Sequence, residues 1–158
     1  MEAIQAACQE LSAAHDFVVA DAPGEEGEAA NTITLLSDMA IVPLQPTKPN
    51  VRALKGALKS IRLAHAISKG ERPKTVLVLN CVRKRNVRSR VLREQLSTLG
   101  YPVAQQDVRW LDALADSCDH AVTRQKNNPR AIEAAADIEG LFLELFGELA
   151  QRKEAANG

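Results

Sequence analysis

The sequence predicts an α/β fold, a mostly parallel sheet with helices on both faces. Three observations carry that expectation. Segments of helical and strand-like periodicity alternate along the chain. The strand-like segments, above all "KTVLVLNCV" at 74–82, are nearly continuous apolar runs, as a strand covered on both faces requires. Finally, the Pro and Gly clusters "PGEEGE", "QPTKPN" and "KGERP" fall between these segments, where they serve as loops.

The elements follow in order. Residues 2–14 read as a helix with Ile4, Ala7, Cys8 and Leu11 on one stripe. "DFVVAD", 16–21, reads as a buried strand. Residues 28–37 suit a short helix, and "MAIVPL", 39–44, a second strand. Asn50 is a candidate cap for a helix over about 51–68. The strand at 74–82 is continuous and rich in β-branched residues, with Thr75, Val76, Val78 and Val82. A basic helix over roughly 87–99 stops at Gly100, and "YPVAQQDV", 101–108, is a weaker strand. The last helix is expected over about 130–152, with Asn128 as cap and Pro129 in its first position. Residues 1–152 read as one domain and 153–158 as a frayed tail. Trp110 is expected to pack its loop against the sheet, and Ile138, Leu141, Leu145 and Leu149 to form a core stripe.

With 46% hydrophobic residues, the chain carries enough apolar surface for a packed core rather than global disorder. Its formal net charge is zero, so attraction to nucleic acid must come from local clustering. Cys8, Cys81 and Cys118 are widely spaced and His15, His65 and His120 follow no ligand spacing. A disulfide framework and a zinc site are both disfavoured. The chain shows no membrane-length apolar run and no Gly-x-Ser-x-Gly, and a cytoplasmic protein is the expectation.

Asp21 ends the apolar run 16–21. In open parallel sheets, ligands gather beyond the carboxyl ends of the strands. An acid there can hold Mg²⁺ through water beside a nucleotide; the plainer role is a turn-forming Asp before Pro and Gly.

The order of segments resembles the ParA/MinD family of partition and positioning ATPases, in particular its small plasmid-partition members. "DFVVADAPG", a short helix, "SDMAIVPLQPTKPNVRAL", a long helix and "VLVLN" follow one another as they do there. The specific part is Ser37, Asp38, Pro43, Gln45, Pro46 and Thr47. The resemblance implies a P-loop NTPase-like fold of the deviant Walker A class, with ATP and Mg²⁺ as cofactors. It makes Asp21 the catalytic, Mg²⁺-coordinating acid. It also places Pro43, Gln45 and Pro46 near the γ-phosphate and dimer interface. Asn80 stands where relatives contact adenine, although a strand-end Asn bonding local backbone accounts for it equally well. The family often has Asp where this chain has Asn50.

The family's phosphate loop, K-G-G-x-x-K-[ST], and the strand before it are missing from this sequence. Such a loop cradles phosphates with backbone N–H groups and neutralises them with lysines. Without it the chain is expected neither to hydrolyse ATP alone nor to bind it tightly. In relatives the loop's strand lies between the strands corresponding to 16–21 and 39–44. Its loss is expected to leave a gap, a rearranged sheet, or an edge that pairs with a like chain or a full-length ParA-type ATPase.

"RKRNVRSRVLR", 83–93, gathers Arg83, Lys84, Arg85, Arg88, Arg90 and Arg93 without an acid. On a helix, Leu92, Leu96 and Leu99 fall on one face and Arg90 and Arg93 on the other. Such a cluster can neutralise phosphates without reading bases. The resemblance agrees: relatives hold nucleoid DNA nonspecifically through this region and respond to ParB-type adaptors. It implies a nucleoid-associated partition protein. The alternative is a non-catalytic module that regulates a full-length ParA-type ATPase. No membrane partner is expected, because Glu139, Glu144 and Glu148 interrupt the last helix's polar face.

Overall fold

The computed structural model describes the chain except residues 1, 24–26, 84–86, 116–120, 126 and 158; the side chains of 87, 88 and 148–157 also lie outside the description. The architecture is α/β, with six helices and a pair of parallel strands among the described residues. The strands are β1 (Met39–Leu44) and β2 (Lys74–Leu79). The Lys74 N–H donates to Asp38 O (2.8 Å) and the Asn80 N–H to Leu44 O (2.9 Å). Equal sequence offset at the two ends is the register of parallel strands. By its contacts the chain divides into two compact units.

The first unit comprises Met1–Val42 and Lys48–Val76. It contains α1 (Glu2–Ala14), α2 (Glu28–Leu36) and α3 (Lys48–Ile67). α2 packs against both α1 and α3. α3 buries Leu54, Leu58, Ile61 and Ala64, one face at helical spacing. It starts earlier than the sequence suggests. Thr47 stands just before it, Pro49 lies in the first turn where its missing N–H costs nothing, and Asn50 is inside the helix. Its end is a left-handed turn, with Lys69 at φ 56° and Gly70 at φ 86°. The Gly70 N–H there bonds back to His65 O at 2.7 Å.

The segment 16–21 is not a strand. It is irregular and exposed, and Val19 is 94% accessible. An apolar run becomes a strand only when it pairs with a neighbouring strand edge, and the strand pairs and bridges among the described residues do not include this segment. α1 likewise buries none of its stripe, and Leu11 is exposed.

The second unit comprises Pro43–Thr47 and Leu77–Gly158. Here residues 101–110 run along β2. Leu77 donates to Pro102 O and Ala104 to Leu77 O, Val108 donates to Leu79 O, and Trp110 donates to Val82 O, each at 2.9 Å. The pairing is parallel, with bridges at Leu77–Val103 and Val82–Arg109. The expected strand 101–108 is thus a broken ladder, interrupted at Gln105–Asp107. Leu77, Val78 and Leu79 are fully enclosed, joined by Leu92 and Leu96 of α4 (Val87–Ser97), Ala104 and Val108 in the buried set. α5 (Asp112–Ala115) and a 3₁₀ turn at Val122–Arg124 pack against α6 (Pro129–Asn157) through Val122, Ala131, Ala134 and Ala135. α6 begins as its cap foretells: Asn128 Oδ1 accepts from the N–H groups of Arg130 (3.1 Å) and Ala131 (3.4 Å). The helix continues past Arg152 to Asn157, through all but the last residue of the frayed tail expected at 153–158, and that residue lies outside the description.

Candidate functional site

Two parallel strands ending side by side place their following loops together. Asn80 N bonds Leu44 O, so the Gln45–Thr47 loop and the Asn80–Val82 segment adjoin at the carboxyl ends of β1 and β2. Val82 in turn is paired with Val108 and Trp110, which extends this rim to a third segment. Pro43 is the penultimate residue of β1 and exposed; Gln45 and Pro46 are half-buried in the loop. The Asn80 carboxamide oxygen accepts the Cys81 N–H at 2.8 Å, where Cys81 takes a left-handed φ of 54°. Local backbone thus engages that oxygen, the plainer of the two roles expected for Asn80. Trp110, expected to pack on the sheet, is 54% accessible.

Asp21 belongs to the first unit, whereas Pro43, Gln45, Pro46 and Asn80 belong to the second. Asp21 is exposed in an irregular segment rather than at the end of a strand. Among the described residues no group of three or more His, Cys, Asp or Glu side chains gathers as a metal site. The rim's cation, Arg109, is already committed. Its Nε and Nη2 reach Asp137 at 2.9 Å and its Nη1 reaches Glu133 at 2.6 Å. A guanidinium tied to two carboxylates supplies neither the N–H cradle nor the lysines that a triphosphate needs.

The groups that order the rim come from α6, and sequence reading missed them. Glu133, Asp137, Gly140 and Glu144 repeat at i, i+4, i+7 and i+11, one stripe of the helix. Asp137 is 5% accessible. Its carboxylate accepts both the Arg109 side chain and the Arg109 backbone N–H (2.9 Å). Glu144 accepts the N–H groups of Gln105 (2.7 Å) and Gln106 (2.8 Å), the residues that leave the β2 ladder. Gly140 lies against Gln106, whose Oε1 would stand 2.9 Å from an added Cβ. The hydrogen bond to Asp137 is the main cause that holds the Arg109 guanidinium above its ordinary value. Of the expected α6 core stripe, Ile138 is exposed, Leu141 and Leu145 are half-buried, and the Leu149 side chain is outside the description.

The basic segment is divided. Arg83 and Arg90 are exposed. Lys84 and Arg85 lie outside the described residues, as does the Arg88 side chain. Arg93, expected on the solvent face with Arg90, reaches across to the Asp107 carboxylate and the Ala104 carbonyl. Burial pushes the Asp107 carboxyl above its ordinary value, and this outweighs the downward pull of Arg93. Leu92 and Leu96 are buried as expected, but Leu99, beyond the helix end, is exposed.

No protein-family model and no curated protein matches the chain. Among the described residues no helix is long and apolar enough to cross a membrane.

Proposed function

We propose that the chain is a ParA-like partition protein, P-loop NTPase-like in ancestry, that holds DNA nonspecifically and does not hydrolyse ATP by itself. The observation that supports this most is the rim. The segment carrying the resemblance, Ser37 to Thr47, supplies β1, and its Gln-Pro-Thr loop adjoins Asn80 across a parallel pair. That is the ligand-facing end of such sheets. The sequence lacks the phosphate loop, so Mg-ATP finds no anion cradle in this chain. DNA contact falls to Arg83 and Arg90, with Lys84, Arg85 and Arg88 as further members, while a phosphate would compete with Asp107 for Arg93.

A second reading has an observation of its own. The apolar segment 16–20 is exposed and belongs to no strand, and β1 pairs with β2 as its one strand neighbour among the described residues. Both features suit a module completed by a like chain or a full-length ParA-type ATPase, with a ParB-type adaptor acting on the assembly. Two measurements separate the readings. Calorimetric titration with Mg-ATP is expected to show no binding in the micromolar range, and a micromolar Kd overturns the non-catalytic assignment. Salt-dependent retention of duplex DNA by the isolated chain supports the first reading; its absence, with capture by a full-length ATPase, supports the second.

A further inference from the structure

α3 carries a second basic surface, in the first unit and remote in sequence from 83–93. Lys48, Arg52, Lys55, Lys59 and Arg62 follow one another at steps of four, three, four and three residues. At 3.6 residues per turn this is a single straight stripe. From first to last it spans about 21 Å at about 1.5 Å per residue. All five side chains are exposed, and the helix contains no Asp or Glu. Two cations of the second unit are neutralised within the fold: Arg93 by Asp107, and Arg109 by Asp137 and Glu133. In contrast, among the described residues Lys48, Arg52, Lys55 and Arg62 form no side-chain ion pair.

We infer that this α3 stripe is a binding surface for the phosphate backbone of duplex nucleic acid. Charge and spacing fit that occupant. A duplex presents one negative charge per about 1.7 Å of axis, so the stripe runs alongside about a dozen phosphates. The stripe holds only Lys and Arg, whose charges pair with phosphate oxygens whatever the sequence. A bilayer fits less well. A helix that lies on lipid inserts a broad apolar face, whereas Leu54, Leu58, Ile61 and Ala64 of α3 are enclosed by the protein and only Leu63 and Ile67 remain as its exposed large apolar residues. The inference stands on α3 itself and does not require the partition reading.

The test is a salt series of duplex binding by the full chain. The variant Lys48→Gln/Arg52→Gln/Lys55→Gln/Arg62→Gln keeps good helix formers at exposed positions, and circular dichroism verifies its helix content. Each lost phosphate contact lowers the slope of log K against log salt by about 0.9, so the four together remove up to about 3.6. Affinity at low salt falls at least about tenfold by the same relation. The charge-conserving variant Lys48→Arg/Lys55→Arg is expected to retain the wild-type slope. The paired variant Arg83→Gln/Arg90→Gln is the comparison. If it alone weakens binding, the α3 assignment is overturned and the partition reading stands. Binding to phosphatidylserine vesicles, but not to duplex, also overturns it, as does a wild-type slope in the α3 variant.

Discussion

Replacing Asp137 with alanine tests how the rim is held. The carboxylate is almost wholly enclosed, and it serves the Arg109 backbone N–H and two of the guanidinium nitrogens. Removing one partner of an enclosed ion pair costs about 3–5 kcal/mol, because the survivor is left without compensation. Arg109 is less exacting than that case. Its side chain is 28% accessible and it keeps Glu133, so water and one carboxylate recover part of the loss. The structure therefore implies about 2–3 kcal/mol, just below that range. With a urea m-value of about 1–3 kcal/mol per molar, the unfolding midpoint falls by about 0.7–3 M. Near-ultraviolet fluorescence of Trp110, which follows Arg109, reads this transition. Asp137→Asn keeps an acceptor for the backbone N–H and is expected to cost about half as much. A double replacement by leucine, Arg109→Leu/Asp137→Leu, is expected to be milder than Asp137→Ala, since it strands no charge. An Asp137→Ala cost below about 1 kcal/mol refutes the clamp, because it falls within the range of a surface pair.

The remaining predictions concern single groups. Asn128→Ala removes the α6 cap and is expected to cost about 0.5–2 kcal/mol in equilibrium unfolding; no loss would mean the cap is redundant. Val19→Lys is expected to change stability by less than about 0.5 kcal/mol, because the residue is already in water. A loss of several kcal/mol would show that 16–21 is packed after all. Asp107 has a raised pKa in the folded protein, so as pH falls the folded state takes up this proton before the unfolded chain does. Its contribution to stability therefore grows as pH falls from above the folded value toward the ordinary carboxylate value of 3.8, and shrinks as pH rises. Asp107→Asn is expected to flatten that part of the stability–pH curve, and an unchanged curve contradicts the assignment.

What the sequence made readable was whatever local chemistry decides. β1 spans the expected residues because "MAIVPL" is bounded by polar neighbours and finds β2 beside it. Asn128 and Pro129 start α6 because a cap needs only the next few N–H groups. The segment 16–21 was misread because strand formation depends on a partner edge, which no run of residues records. Arg93 and Arg109 were beyond local reading too, since their partners lie many residues away. The α3 stripe was overlooked for another reason. Its cations are three and four residues apart and look sparse in sequence, yet the helix aligns them, whereas the dense run at 83–93 loses Arg93 to an acid. The clamp residues of α6 had the same kind of signal, acids at Glu133, Asp137 and Glu144 with Gly140 between.

The most direct measurement is the affinity of the whole chain for a random-sequence duplex across a salt series, run with and without Mg-ATP. A DNA-holding protein without an anion cradle binds at low salt, weakens linearly in log–log form as salt rises, and ignores the nucleotide. Failure to bind at low salt, or binding that appears only when Mg-ATP is added, would contradict it.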